Sequence, residues 1–233
     1  MCNIIVLDVS DSVAFSFGRP VSAMAQTSPR LLGRLAALAC LITGLATAPA
    51  AAQNAEWEDW ARQYGVSELR AGLFLDDLEQ AYPFPFLVLP ETIDLGKWQN
   101  LTGEVLFSLP DVDMVRWLGS PRIGLGGSLN FTGKISYARL AAVWHIPIFE
   151  TGIFIEPMVG GMVHNGYLTN APPGKRNMGC TAIYFYGGNI GYDINDKLNI
   201  MATFEHGSHY GQCGTTTNDG VNRMGLRVGW KLD

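Results

Sequence analysis

A histidine, a serine and an asparagine near the C-terminus have the types and the spacing that nucleophilic catalysis requires. The segment "TFEHGSHYGQCGTTTNDGVNRMGLRVGW" (203–230) places His206 and Ser208 two positions apart, and Asn222 follows a polar loop. A serine hydroxyl attacks an acyl group when a neighbouring base takes its proton, and an acceptor on the other ring nitrogen orients that base. Ser208 as nucleophile, His206 as base and Asn222 as orienting acceptor would meet these needs.

These side chains are predicted to share one face of two neighbouring strands, because side chains alternate between the faces of a strand. His206 and Ser208 continue a face whose earlier members are all apolar: Leu198, Ile200, Ala202 and Phe204. Asn222 opens the same face of the next strand, and cross-strand partners lie within about 5 Å. We therefore expect Asn222 to lie beside His206. The alternative is that these polar residues only mark a membrane interface, where polar groups are tolerated.

Eight strands are predicted to build the domain that positions these residues. Alternating segments rich in glycine and aromatic residues are Ser67–Asp76, Lys97–Ser108, Pro121–Phe131, Ile135–Phe149, Ile153–Gly166, Thr181–Ile194, Leu198–Tyr210 and Val221–Leu232. Tight turns such as "NFTGKI", "FETGI" and "INDKL" join some of them, and longer polar or proline-rich loops join others. Short turns at one end and longer loops at the other are typical of transmembrane β-barrels. A short helix is expected at Glu56–Tyr64, and no shape is predicted for residues 78–96.

The predicted fold is all-β, an eight-stranded antiparallel transmembrane up-and-down β-barrel. Alternation alone does not tell which face is outside, and a soluble ligand-binding β-barrel of the lipocalin kind is the alternative. The polar faces carry charges of both signs, which could neutralise one another inside a narrow barrel: Arg139, Glu156, Glu205, Arg223 and Arg227. An interior of this size holds side chains rather than a channel. These charges favour the membrane barrel.

The N-terminal region is predicted to be an export signal. Residues 24–52, "MAQTSPRLLGRLAALACLITGLATAPAAA", combine a basic start, an apolar stretch and a small-residue cleavage site. Residues 1–23 precede a second methionine and are interpreted as a misannotated start, which leaves 53–233 as an outer-membrane barrel. The formal net charge of −5, without a basic patch, argues against nucleic acid as a partner. The sequence does not indicate an oligomeric state.

The remaining cysteines and histidines are expected to be structural. Cys180 and Cys213 are left after removal of the signal, and a disulfide between them is expected in an exported protein. It would hold the loop that follows Ser208. His145 and His164 are predicted on lumen faces, near Glu156, as satisfied interior histidines rather than ligands. We predict no metal and no other cofactor, since no ligand spacing is recognisable.

The segment "FEHGSHYGQCGTTTNDGVNRMGLRVGW" resembles the C-terminal signature of the lipid A 3-O-deacylase family. In that family an H-x-S-N motif is followed by a short loop, N-x-G or N-D-G, and a glutamate that completes the triad. The matching residues are His206-Gly207-Ser208, Asn218-Asp219-Gly220 and Asn222. The resemblance implies an outer-membrane barrel of a Gram-negative bacterium that removes an ester-linked acyl chain, at the 3-O position, from lipid A of lipopolysaccharide without a cofactor.

The resemblance also implies residue roles, with two departures from the family pattern. Ser208 would be the nucleophile and His206 the base, on the lipid-facing wall, while Gly211 and Asn218 fall at positions suited to oxyanion donors. Asn222 stands where the family has glutamate, and His209 stands where it has asparagine. These departures keep open a catalytically inactive structural outer-membrane barrel.

Overall fold

The computed structural model describes residues 59, 61, 63–76, 78–79, 90–214 and 218–232, all within one compact unit, Ile42–Asp233. Its strands are β1 (Val66–Leu75), β2 (Trp98–Phe107), β3 (Arg122–Asn130), β4 (Tyr137–Val143), β5 (Ile146–Pro147), β6 (Ile153–His164), β7 (Ala182–Asp193), β8 (Leu198–Ser208) and β9 (Val221–Lys231). A short α-helix, α1 (Asp113–Trp117), and a 3-10 turn at Pro90–Thr92 complete the described elements. The predicted signal peptide, 24–52, and the segment 1–23 lie outside the described residues. So do parts of the predicted helix Glu56–Tyr64, of which Asp59, Ala61 and Gln63 are helical.

The strands form one closed antiparallel barrel. Neighbouring strands follow the order β4-β3-β2-β1-β9-β8-β7-β6, and the pairing of β4 with β6 closes the sheet. β5 pairs only with the beginning of β6 and continues the line of β4. The predicted eight-stranded up-and-down barrel is therefore confirmed.

The predicted fourth strand, Ile135–Phe149, is divided into β4 and β5 at Trp144 and His145. Trp144 donates its backbone N–H to the carbonyl of Pro157 in β6 at 3.1 Å. Proline has no backbone N–H with which to return a hydrogen bond. The ladder is therefore interrupted at this point, although the register with β6 continues across the gap.

The apolar faces of the strands point outward. This distinguishes a membrane barrel from a soluble one, which alternation alone does not do. Along β6, Ile155 and Val159 are exposed, whereas Glu156 and Met158 between them are buried. The same holds around the wall for Leu101, Leu125, Leu129, Leu140, Val163 and Ile190, all of which are exposed. A soluble barrel would show the reverse, so the membrane barrel is confirmed and the soluble alternative is wrong. Among the described residues, no helix is long and apolar enough to cross a membrane.

Ionic groups fill the barrel interior, as the charges of both signs predict. Arg70 lies between Glu68 (Nε–Oε1 2.8 Å) and Glu156 (Nη1–Oε2 2.7 Å), and all three side chains are buried. A second interior group consists of Arg139, Glu104, Glu205 and Arg227. Because each buried charge has partners of the opposite sign, the interior is a packed core rather than a water-filled passage.

Replacing Arg139 with alanine is expected to lower the free energy of unfolding by about 3–5 kcal/mol, because it removes a partner of two buried carboxylates. Arg139 Nη1 lies 2.8 Å from Glu104 Oε1, and Nη2 lies 2.9 Å from Glu205 Oε1. Urea unfolding in detergent micelles, followed by the heat-modifiable gel shift, measures the effect. The control is Leu140→Ala on the exposed face, for which a change within about 0.5 kcal/mol is expected. Equal stability of the two variants would contradict the structural role of Arg139.

The two ends of the barrel differ in their connections. The described parts of the β1–β2, β3–β4, β6–β7 and β8–β9 connections share one end, here named the loop end, and those of the β2–β3, β5–β6 and β7–β8 connections share the opposite turn end. The expectation of short turns at one end and long loops at the other is only partly correct. The short turn "NFTGKI" lies at the loop end, whereas the longer connection that contains α1 lies at the turn end. The two ends are therefore assigned from the alternating directions of the strands, not from the lengths of the loops.

Candidate active site

His206 and Asn222 form a hydrogen-bonded pair across β8 and β9. They are direct partners in the register of the two strands. His206 Nδ1 lies 2.6 Å from Asn222 Oδ1. An amide oxygen only accepts hydrogen bonds, so Nδ1 carries the proton, and in the neutral ring Nε2 is left as the proton acceptor. This is the tautomer that a general base next to a serine requires.

The orientation of the Asn222 amide is set from its other side by the chain that follows β1. Asn222 Nδ2 donates to the backbone carbonyl of Leu78 at 3.0 Å. Since a carbonyl accepts only from the nitrogen side of an amide, this contact turns Oδ1 toward His206. Sequence reasoning missed Leu78, because no pattern in residues 78–96 indicates which strand that segment approaches.

Ser208 lies two residues beyond His206 on the same face of β8, at the loop end of the strand. Within the described part of the chain, no hydrogen bond joins its hydroxyl to His206. The backbone of Gly220, with φ of +60°, lies against both residues, since a Cβ built there would be 3.5 Å from His206 Cε1 and 3.7 Å from Ser208 Cβ. Because glycine has no side chain, only backbone atoms of residue 220 lie close to His206 and Ser208.

The aromatic partner of His206 is Tyr186 of β7. The two residues are paired in register, and their ring centroids lie 4.5 Å apart with an interplanar angle of 33°. Tyr184, the neighbour of Ser208 in β7, hydrogen-bonds Gln212 through its hydroxyl group. Both tyrosines were missed from the sequence. Alternation alone places Tyr184 and Tyr186 on the outer face of β7. Only the register between β7 and β8 shows that they lie beside Ser208 and His206.

The three residues are buried, although the sequence predicts them on a face open to lipid. His206 is 9% exposed, Ser208 8% and Asn222 8%, whereas Ile190 on the same outer face of β7 is 65% exposed. Part of this cover is Leu78, whose carbonyl meets Asn222. Buried polar groups are costly unless they are hydrogen-bonded, and the His206–Asn222–Leu78 chain supplies those bonds.

The two residues proposed as oxyanion donors both contact His209. The backbone N–H of Gly211 donates to His209 Nδ1 at 3.0 Å, and the Asn218 Oδ1 accepts from the His209 backbone N–H at 3.4 Å. His209 is buried and follows the last residue of β8, so the alternation of that strand does not assign it to a face. It therefore organises the loop that returns the chain to β9.

The loop at 209–220 is fastened to the loop at 165–181 at several points. Cys180 and Cys213 form a disulfide, with Cα atoms 6.0 Å apart. The backbone N–H of Asn177 donates to Asp219 Oδ2 at 2.6 Å, and the backbone N–H of Asp219 returns a bond to the Asn177 carbonyl at 2.9 Å. Arg176 Nη1 adds a bond of 3.2 Å to the Asp219 carbonyl. These contacts hold both described parts of the loop, 209–214 and 218–220.

Reduction of the disulfide is expected to lower the stability of the protein by about 3–4 kcal/mol, because the bond closes a chain segment of 33 residues. The Cys180→Ser, Cys213→Ser double variant should show this lower stability with or without a reductant. Thermal unfolding in detergent, with and without dithiothreitol, makes the comparison. A reductant effect of the same size on the wild type and on the double variant would contradict the prediction.

His145 and His164 have partners within the barrel. His145 Nδ1 lies 3.0 Å from Glu156 Oε1. His164 Nε2 lies 2.7 Å from the Cys180 carbonyl, and its Nδ1 accepts the backbone N–H of Gly166 at 3.1 Å. Over the residues that the structure describes, no three His, Cys, Asp or Glu side chains are grouped so that they could hold a metal ion.

Comparisons with known proteins place the chain in a family. The chain matches the family model "Lipid A 3-O-deacylase (PagL)" over residues 105–231, and no curated protein matches it. It is similar to the solved structure of the outer membrane enzyme PagL, with 13% identity, a TM-score of 0.46, and coverage of 70% of this chain and 98% of that one. It is also similar to the N-terminal barrel domain of Pseudomonas aeruginosa OprF (14% identity, TM-score 0.43, 72% and 98% coverage) and to a de novo designed transmembrane barrel (9%, 0.36, 72% and 95%). The family match spans more than half of the chain and includes His206, Ser208 and Asn222, so this outer-membrane β-barrel belongs to the lipid A 3-O-deacylase (PagL) family of lipid A deacylases.

Proposed function

We propose that the protein is a serine esterase that removes the 3-O-linked acyl chain from lipid A, with Ser208, His206 and Asn222 as its catalytic residues. The observation that carries the proposal is the 2.6 Å contact between His206 Nδ1 and Asn222 Oδ1. It supports a neutral imidazole whose Nε2 can take a proton, on the face and at the strand end where Ser208 lies. The family membership supplies the substrate, lipid A of lipopolysaccharide.

The reaction follows from these positions. Ser208 Oγ attacks the ester carbonyl carbon while His206 Nε2 takes the hydroxyl proton. His206 then gives that proton to the departing sugar oxygen, which leaves an acyl-enzyme. A water molecule, activated by the same nitrogen, releases the fatty acid and restores Ser208. Asn222 orients the ring throughout but carries no charge, so it stabilises the imidazolium less than a carboxylate would.

The oxyanion that forms during attack needs donors close to Ser208. We propose the Gly211 backbone N–H and the Asn218 amide group for this role. In the resting arrangement Gly211 donates to His209 Nδ1. Its use therefore requires the His209 ring to turn away when substrate binds, which makes His209 a positioning residue in this scheme.

The lipid-facing wall beside Ser208 offers room for an acyl chain. A groove of about 660 Å³ runs along it, lined by Leu125, Leu140, Gly161, Val163 and Tyr184. Tyr184 is the cross-strand partner of Ser208, so the groove begins next to the nucleophile. A substrate in the outer leaflet would reach this wall by lateral diffusion, with its acyl chains already in the hydrocarbon.

The test of the proposal is mass spectrometry of lipid A after incubation with the detergent-purified protein. Loss of one ester-linked hydroxyacyl mass is expected, and fragmentation of the product should locate the loss at the 3-O position. Loss of an acyl chain from another position would overturn the proposed regiochemistry but keep the esterase. An unchanged substrate, with a folded protein, would overturn the esterase.

The second candidate function is a structural outer-membrane barrel without activity. The specific observation in its favour is that no hydrogen bond joins Ser208 to His206 in the described part of the chain, while an uncharged residue holds the ring. Catalytic hydrogen bonds are often formed only when substrate binds, so this geometry does not exclude the enzyme. A fluorophosphonate probe distinguishes the two: labelling of Ser208 indicates an activated serine.

A further inference from the structure

One glycine of the outer wall, Gly161, is not required by the packing around it. A glycine within a strand weakens that strand, and it often marks a place where a ligand or another backbone approaches closely. At the neighbouring Gly160 the reason is steric, since a Cβ built there would lie 2.0 Å from the backbone oxygen of Leu140. Among the described residues, the atom nearest to a Cβ built on Gly161 is the Ile183 backbone oxygen at 3.7 Å, which is an ordinary contact. The space outside Gly161 is therefore left open, although a larger side chain would fit there.

Gly161 belongs to a row of cross-strand partners that begins at Ser208. The register pairs Ser208 with Tyr184, and Tyr184 is next to Gly161 in the same row. Gly161 pairs on its other side with Leu140, which pairs in turn with Leu125. Tyr184, Leu140 and Leu125 are each about half exposed on the outer face of the barrel. The glycine therefore leaves a gap between large side chains, on the line that leads away from the proposed nucleophile.

This gap is part of the floor of the groove of about 660 Å³ that runs along the wall. Two further small residues, Ala138 and Ala182, line the groove on the side of the loop end, one on each side of Val163. Neighbouring strands lie about 4.8 Å apart, so two strand spacings place Gly161 about 10 Å from Ser208. A linear apolar chain attached at Ser208 and lying in the groove would therefore cross Gly161 before it reaches the leucines.

We propose that Gly161 determines the length of the acyl chain that the site accepts. The chain of the reacting ester passes from Ser208 over Gly161, between Tyr184 and Leu140, and its far end lies near Leu125. A side chain at position 161 would fill this path and admit only chains that end before it. A bilayer lipid could lie anywhere on the apolar wall, whereas a chain whose ester is held at Ser208 must follow this row. The inference rests on the proposed function, because it assigns the chain-length specificity of the same reaction.

The kinetic test uses two synthetic acylated glucosamine esters that differ only in the length of the ester chain. A carbon–carbon bond is about 1.5 Å long, so a hexanoyl chain ends before Gly161 and a tetradecanoyl chain extends beyond it. Gly161→Leu should lower kcat/KM on the tetradecanoyl ester roughly tenfold or more, and should stay within about twofold of the wild type on the hexanoyl ester. An equal loss on both esters, or no loss on either, would overturn the proposal.

Gly103→Leu is the matched control for this variant. Gly103 is also exposed on the outer face, in β2 and outside the groove, and the nearest described atom to a Cβ built there is the Arg70 backbone oxygen at 3.9 Å. The variant should match the wild type on both esters. Both leucine variants should unfold at no lower urea concentration than the wild type, because each new side chain enters open space on an apolar wall. Lower stability of Gly161→Leu alone would show that this glycine is a structural requirement, and the specificity assignment would be wrong.

A binding measurement separates this proposal from the proposed function. Ser208→Ala and Ser208→Ala, Gly161→Leu are irradiated in detergent micelles with tetradecanoic acid that carries a diazirine at its terminal carbon, and the crosslinked peptides are identified by mass spectrometry. Crosslinks that concentrate around Leu125 and Leu140, and that are lost in the double variant, would support the role of Gly161 even if the wild type hydrolyses neither ester. Crosslinks spread evenly over the outer wall would indicate ordinary lipid contact and would overturn it. Hydrolysis of both esters by Gly161→Leu with the chain preference of the wild type would also overturn it, and would leave the esterase intact.

Discussion

Replacing Ser208 with alanine is expected to abolish release of the acyl chain from lipid A, with a loss of about 10⁴-fold or more in kcat. The reason is that no other group takes the place of the nucleophile when the acyl-enzyme cannot form. The variant should remain folded, because the described structure contains no hydrogen bond from the Ser208 hydroxyl that the change would break. Mass spectrometry of lipid A measures the activity, and the heat-modifiable gel shift reports the fold.

Ser136→Ala is the matched control for this variant. Ser136 also lies at the loop end, where its hydroxyl accepts the backbone N–H of Asn130 at 3.0 Å, but it has no place in the proposed reaction. It should keep activity close to that of the wild type. Wild-type activity in a folded Ser208→Ala protein would show that another residue is the nucleophile.

Substitutions at Asn222 are expected to distinguish two effects of this residue on His206: orientation of the neutral ring and electrostatic stabilisation of the imidazolium. Asn222→Ala removes the acceptor at 2.6 Å from His206 Nδ1, and kcat should fall about 10³-fold because the ring loses both its tautomer and its position. Asn222→Asp keeps the acceptor and adds a negative charge that stabilises the imidazolium. We expect kcat to rise roughly tenfold in this variant, since the charge acts mainly in the transition state.

The same aspartate variant should be less stable than the wild type. It loses the hydrogen bond of 3.0 Å from Asn222 Nδ2 to the Leu78 carbonyl and places a carboxylate oxygen against that carbonyl. A loss of about 1–3 kcal/mol is expected from the unsatisfied buried groups. Thermal unfolding together with kcat and KM makes the comparison. A rise in stability, or a kcat below that of Asn222→Ala, would contradict this account of the residue.

In the proposed mechanism, the contact with Leu78 would allow an asparagine to serve where a carboxylate would be expected. An amide has two ends, and only one of them can orient a histidine that must donate from Nδ1. The Leu78 carbonyl engages the nitrogen end, so the oxygen end faces His206. In that mechanism the site would lack the charge of a carboxylate but keep the orientation of the ring, among side chains that are almost fully buried.

The strands, their faces and the composition of the candidate site could be predicted from the sequence. Alternation is a local property of the chain, so it shows that His206 and Ser208 share a face with Phe204 and that Thr203 and Glu205 share the other. The polar loop before Asn222 shows equally that a new strand begins there. Strand ends were predicted to within a few residues, except where Pro157 interrupts the ladder with β4.

Alternation could not decide which face is outside, because both a soluble barrel and a membrane barrel show it. Closure of the eight strands decides this, since the ionic faces then meet in the interior and the apolar faces are exposed. Parity likewise could not show that Tyr186 stacks on His206. That contact depends on the register between β7 and β8, which is set by pairing over many residues.

The sequence by itself therefore determined the barrel and the residue types that the outer wall carries near one strand end. The tertiary structure decided which residues meet there: Asn222 opposite His206, Leu78 behind Asn222, and Gly220 against His206 and Ser208. The physical reason is that side-chain alternation is encoded within each strand. The register, the path of the loops and the burial of the site instead arise from contacts between segments far apart in the chain.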